Sequence, residues 1–208
     1  MTRNADIYRE LHATSPAGLV VFALACAERG SGIFQALAEH VEGEQLSGIL
    51  ELAWSAAAGD ADDGDSAATV EEFEELAESF DPDESDTSFF VVQSALLAVN
   101  AIALLSDPRP ARAELSGQTL ETLLGDFDFR LSGQTAVIVR AGETPPPPGR
   151  LQRLEQEAQT ATMRALTALP NGDVASREFL DEIRESCRAA RDEIASATEA
   201  VAELAGWL

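Results

Sequence analysis

The sequence predicts an all-α fold, a compact multi-helix bundle with a long C-terminal helical hairpin, and three observations carry that expectation. Apolar residues recur at spacings of three and four along most of the 208 residues. No run alternates apolar and polar residues over several positions, and β-branched residues are sparse, so strands have little support. The apolar share of 45% is ordinary for a folded domain, yet aromatics are only 6%, which leaves a core of alanine and aliphatic side chains suited to closely approaching helices. A chain of this length fits a single all-helical domain over 1–208.

Ser15-Pro16 pairs an N-cap residue with proline at the first helical position, and the helix it opens is predicted to run from Ala17 to Arg29 and stop at Gly30. It is apolar nearly all round, which marks it as buried. A second helix is expected from Ser31 to Val41, with Ile33, Phe34, Leu37 and Val41 on one face. A third spans Glu44 to Ala58, with Leu46, Ile49, Leu50, Ala53, Trp54 and Ala57 inward. After an acidic loop over 59–68, Thr69 and Glu72 form a capping-box pattern for a fourth helix, whose stripe is Val70, Phe73, Leu76, Ala77 and Phe80. A second acidic loop, 81–86, leads into a strongly apolar helix from Ser88 to Leu105, ended by Asp107-Pro108-Arg109-Pro110. Residues 111–140 carry a weaker pattern, one or two helices interrupted by Gly117, Gly125 and Gly133, and the short apolar run 136–139 has no strand partner. Beyond the stiff Pro145 to Pro148 spacer, 149–208 form the hairpin. Its first helix aligns Leu151, Leu154, Ala158, Ala161, Ala165 and Leu169. Its second, beginning near Ser176, aligns Ile183, Cys187, Ala190, Ile194, Ala197, Val201, Leu204 and Leu208 over about 45 Å at 1.5 Å per residue. That seam suits packing within the chain, which is then a monomer, or a homodimer through the C-terminal helix.

Charge is distributed unevenly. There are 37 Asp and Glu against 14 basic residues, a net charge of -23, and every basic residue is Arg. Between Gly30 and Pro108 no Arg or Lys occurs, while 18 acids do. Such a surface repels nucleic-acid phosphates and anionic lipid and attracts cations or basic proteins. Acidic, Lys-free composition also marks whole proteomes of GC-rich or salt-adapted cells, so the same charge is compatible with genomic style alone.

No catalytic constellation emerges. His12 and His40 have no metal-ligand spacing and are expected in structural or surface roles. No phosphate-binding glycine loop, nucleophile elbow or Cys pair at close spacing is present. Asp60, Asp62 and Glu71 occupy the first, third and twelfth places of a calcium loop, but Gly64 and Asp65 break the pattern between them, so no metal and no cofactor is expected. Cys26 and Cys187 read as small buried apolar residues. The run from Phe89 to Leu105 is short for a membrane span and contains Gln93, Ser94 and Asn100, so it reads as a core helix. Ala23 to Cys26 is similar to a lipoprotein cleavage box, but the segment before it has balanced charge rather than a positive one, and a cytoplasmic bacterial location is expected. Glu28 and Arg29 end an otherwise apolar stretch. They are either a buried ion pair between helices or, with Trp54, the polar side of a cleft.

Phe22 to Arg29, then Phe34 and Leu37, Ile49 to Trp54 and Val70 to Leu76, followed by an apolar helix, together resemble the YjaG-like family, a domain of unknown function. The resemblance covers Pro16 to Leu105. Phe34 stands where that family usually has Tyr, and no Asp occurs around Leu96. It implies a compact helical bundle and transfers no activity.

Three functions from different classes remain open on these residues. The first is a non-enzymatic acidic binding protein, immunity- or antitoxin-like, that masks a basic partner through Asp60, Asp62, Asp63, Asp65, Glu71, Glu74, Glu75, Glu78, Asp81, Asp83, Glu84 and Asp86. The second is an enzyme or small-ligand sensor with a cleft near Glu28, Arg29 and Trp54. The third is a salt-adapted helical protein whose acidity carries no binding role.

Overall fold

The computed structural model describes residues 4–60, 68, 71, 87–133, 146–167, 169 and 175–207. Among them lie seven helices: α1 (Ala5–Leu11), α2 (Pro16–Leu37), α3 (His40–Ala57), α4 (Thr87–Ser106), α5 (Pro110–Ser132), α6 (Arg150–Leu166) and α7 (Arg177–Ala205). No strand occurs among the described residues. The expected helix over 69–80, its capping box and the run 136–139 lie outside them, apart from the helical, exposed Glu71.

α2 is the axis of the bundle. Every residue from Ala17 to Phe34 is buried, and α3, α4, α5, α6 and α7 all touch it. Ser15 caps it as expected, accepting a hydrogen bond from the Gly18 N–H at 3.2 Å. The expected stop at Gly30 does not occur. A helical glycine costs only about 1 kcal/mol relative to alanine, and here the missing side chain is filled by Leu97 of α4, whose Cδ1 would lie 2.5 Å from a Cβ. The helix therefore runs on to Leu37 and ends where Ala38 turns extended. The two expected helices on either side of Gly30 are one, and α3 begins at His40 rather than Glu44.

The same correction applies to 111–140. Pro110 opens α5, and the helix passes through Gly117 and Gly125 without a break before ending at Gly133, whose left-handed backbone (φ 61°) suits glycine. Packing again outweighs local propensity: a Cβ on Gly117 would meet the Tyr8 ring at 2.9 Å, so that glycine is the seat of α1.

α4 and α7 lie along α2, α3 packs on α4 and α2, α6 packs chiefly on α5, and α1 lies against α5 and α6. The α7 stripe from Ile183 to Val201 is buried within the chain, mostly on α2. Gly32 allows the close approach, because a Cβ there would sit 2.4 Å from the Arg191 carbonyl oxygen. Leu204, which the heptad spacing put in the seam, is instead 70% exposed. α7 ends at Ala205, left-handed Gly206 follows, and Trp207 folds back so that its ring stands 5.3 Å from Phe90, with Arg130 over it at 5.2 Å. α2 and α4 are long and apolar enough to cross a membrane by length and composition, but the relevant windows are 100% and 61% buried inside the bundle.

Candidate functional site

The face that α6 turns inward is largely polar. Its buried residues are Leu151, Gln152, Glu155, Gln159, Thr162, Met163 and Leu166. The spacing had favoured Leu154, Ala158, Ala161 and Ala165, which lie at the edge of the interface or outside it. The helix is turned by about one residue because Glu155 and Gln159 have partners inside. Arg29 of α2 donates from Nε to Glu155 Oε2 and from Nη2 to Glu155 Oε1, both at 2.7 Å, in a bidentate pair with both side chains at most 1% exposed. Burial opposes the Arg29 charge, and the Glu155 carboxylate outweighs it, so the guanidinium is held above its ordinary range. The two cysteines, far apart in sequence, meet around this group. Arg29 Nη2 lies 3.5 Å from Cys26 Sγ and Nη1 lies 3.6 Å from Cys187 Sγ. Both are free thiols. Burial pushes both thiols up, against the pull of Arg29, so they are neutral rather than nucleophilic thiolates at neutral pH.

The polar string continues outward. Gln159 Nε2 donates to Glu155 Oε1 at 3.1 Å and to the Gly117 carbonyl at 3.3 Å, and its Oε1 accepts from Asn4 Nδ2 at 3.2 Å. One turn of α5 further on, Glu121 is 2% exposed and has no cationic partner among the described residues. It accepts from the Tyr8 hydroxyl, from Gln156 Nε2 at 3.0 Å and from the Asn4 N–H at 3.4 Å. Burial first, and Glu121 second, push the Tyr8 phenol far up. These contacts fasten α1 onto the bundle.

Glu28, the neighbour of Arg29, serves a different side of α2. Its carboxylate is 2% exposed and accepts from Trp54 Nε1 at 2.9 Å, Arg184 Nε at 3.1 Å and Arg191 Nη1 at 2.9 Å, which ties α3 and α7 to α2. Arg184 also lies 5.7 Å over the Trp54 ring and grips Glu51 with both terminal nitrogens. Hydrogen bonds from Arg184 hold the Glu51 carboxyl below its usual range, and Glu51 in turn raises Arg184. Trp54 lines an open groove of about 530 Å³ between α3 and α7 with Glu51, Leu180 and Arg184. Glu28 and Arg29 lie inside the bundle, and no buried side-chain nitrogen or oxygen among the described residues lacks a partner.

Of the acids expected to meet a partner, Asp60 pairs with Arg177 of α7 and Glu71 is exposed. Asp62, Asp63, Asp65, Glu74, Glu75, Glu78, Asp81, Asp83, Glu84 and Asp86 lie outside the described residues. So α7 lends two arginines, Arg177 and Arg184, to the cation-free stretch. No group of three or more His, Cys, Asp or Glu able to hold a metal is found among the described residues, and His12 is exposed at the end of α1. Glu155, Gln159, Glu121 and Tyr8 were missed by sequence reasoning. Their signal was present: Arg29 in an apolar helix demands a buried carboxylate, and Glu155, Gln159 and Thr162 repeat at helical spacing.

Comparison with protein families, with curated proteins and with solved structures finds no match to this chain.

Proposed function

We propose that the protein is a non-enzymatic acidic binding protein whose partner is basic. The observation that carries this reading is how its few cations are used. Arg29 is sealed inside against Glu155, and Arg177, Arg184 and Arg191 are bound to acids of the same chain. Cations held in this way neutralise local acids and leave the excess of negative charge to act outward, where it steers and holds a cationic surface. Among the described residues the buried polar atoms are satisfied, the thiols are neutral and no group of three metal-ligating side chains is found, so this geometry lends an enzymatic reading no support. The cytoplasm and a toxin-like or other basic protein are the setting this reading implies.

The test is affinity capture from the native lysate at roughly 50 mM and 500 mM salt, a range over which surface charge is progressively screened. A basic protein retained at low salt, released at high salt and lost when Glu71, Glu74, Glu75 and Glu78 are changed to Gln is the expected result. Capture that is indifferent to salt and to those four substitutions overturns the reading.

A further inference from the structure

The arginines that are not used internally are informative in a chain so rich in acid. Among the described residues, only Arg112, Arg153 and Arg164 take part in no ion pair. Two of these three, Arg153 and Arg164, line one open groove of about 620 Å³ formed by the outer face of α6, Asn4 and Pro148. They lie eleven residues apart on α6, three turns, so their Cα atoms are separated by about 16 Å along one face at 1.5 Å per residue. A cation therefore stands toward each end of the groove. Arg153 is steadied by donating from Nη1 at 2.6 Å to the carbonyl of Pro148, the last residue of the proline spacer, and keeps its other guanidinium N–H groups for a ligand.

The wall between the two arginines is polar and offers acceptors. Thr160 donates its hydroxyl proton to the Gln156 carbonyl at 2.8 Å, which leaves its oxygen lone pairs. The Asn4 amide nitrogen is engaged by the Gln156 carbonyl and Gln159, which leaves its oxygen. Glu157 adds an exposed carboxylate. No aromatic side chain lines the groove, and Pro148 is its one apolar side chain, so neither a stacked base nor a lipid tail has a seat there. Two guanidinium forks match phosphate oxygens, and acceptors between them match hydroxyl groups.

We propose that this groove binds a small sugar bisphosphate, with Arg153 and Arg164 on its two phosphate groups and Glu157, Thr160 and Asn4 accepting its hydroxyls. The site is independent of the acidic surface and of any protein partner.

Calorimetric titration of the full chain with a hexose 1,6-bisphosphate tests it, with a hexose 6-phosphate, the unphosphorylated hexose and inorganic phosphate at matched ionic strength as the other arms. The expected result is saturable binding of the bisphosphate, weaker for the monophosphate by roughly tenfold and undetectable for the hexose. Arg153→Ala and Arg164→Ala should each weaken the bisphosphate by roughly tenfold, the loss of a charge-assisted contact. Both side chains are exposed, so the variants fold, and unchanged circular dichroism checks that. Arg112→Ala, equally unpaired but outside the groove, should leave binding unchanged. The proposal is overturned by the absence of saturable binding, by equal response to inorganic phosphate, by equal affinity for mono- and bisphosphate, or by an equal loss in Arg112→Ala.

Discussion

Replacing Glu155 with Gln leaves the Arg29 guanidinium, 1% exposed, with no carboxylate within reach among the described residues and two sulfur atoms as its remaining side-chain neighbours. Two charge-assisted hydrogen bonds at 2.7 Å are lost or weakened at once, and Gln159 loses the charge on its acceptor. Breaking a buried pair from one side costs about 3–5 kcal/mol, because the surviving charge stays desolvated. That is a large part of the roughly 5–15 kcal/mol that holds a domain together. The double replacement Arg29→Met with Glu155→Leu removes both charges and keeps the volume, so it should fall within about 1 kcal/mol of the native chain or be more stable. Urea unfolding followed by far-ultraviolet circular dichroism of the native chain, Arg29→Met, Glu155→Leu and the double variant measures the coupling, with Glu155→Gln run beside them. A loss below about 1 kcal/mol in Glu155→Gln, or a double variant as weak as the single one, would refute the claim that a desolvated charge is what the pair neutralises.

Tyr8→Phe removes a donor from the buried Glu121 carboxylate and should cost about 1–3 kcal/mol. Limited proteolysis should then cut first at α1, and protection of α1 equal to native would count against the latch. Gly32→Ala places a Cβ 2.4 Å from a backbone oxygen of α7, an atom that cannot rotate away. Overpacking of this kind should cost about 1–3 kcal/mol, and a thermal midpoint equal to native would show that α7 does not approach so closely. The thiols of Cys26 and Cys187 are raised by burial, while those of the unfolded chain ionise near pH ~8.5. The unfolded chain then releases protons that the folded chain keeps, so stability is undiminished below about pH 8.5 and falls as pH rises above it. Native protein should resist Ellman's reagent and react only as fast as it unfolds. Prompt labelling of both thiols would overturn their placement around Arg29.

Helix α4 and the start of α7 were legible because their signals are local: an apolar run closed by prolines, and a Ser176 side chain that accepts from the Phe179 N–H at 3.3 Å. The glycines misled because the reason for each lies across the bundle. Gly30 makes room for Leu97, and Gly117 for Tyr8. Spacing alone treats such residues as stops, whereas α2 and α5 recover the lost propensity through contacts with chain 67 and 109 residues away in sequence. The inward face of α6 was misread for a related reason. A rule that sends Glu and Gln to water is right for isolated helices, and fails where a neighbour already carries a buried charge that must be met.

The adjacent charges of α2 also decide how the bundle is keyed. α2 presents small side chains on several sides, Ala23, Ala25, Ala27, Gly30 and Gly32 among them, and all are buried. The close approaches at Gly30 and Gly32 already favour one rotation of the helix about its axis, and its two charges add to that choice. Neighbouring residues on a helix point about 100° apart, and here they differ in sign. Glu28 faces Trp54, Arg184 and Arg191 on the side of α3 and α7, while Arg29 faces Glu155 on the side of α6. Turning α2 by one residue would bring the Arg29 guanidinium toward Arg184 and Arg191 and leave Glu155 without its cation. Each buried group so stranded costs several kcal/mol, more than small side chains recover by repacking at ~25 cal/mol per Å². The buried polar layer thus reinforces which neighbour lies on which side of α2, a choice that the close approaches at Gly30 and Gly32 also carry.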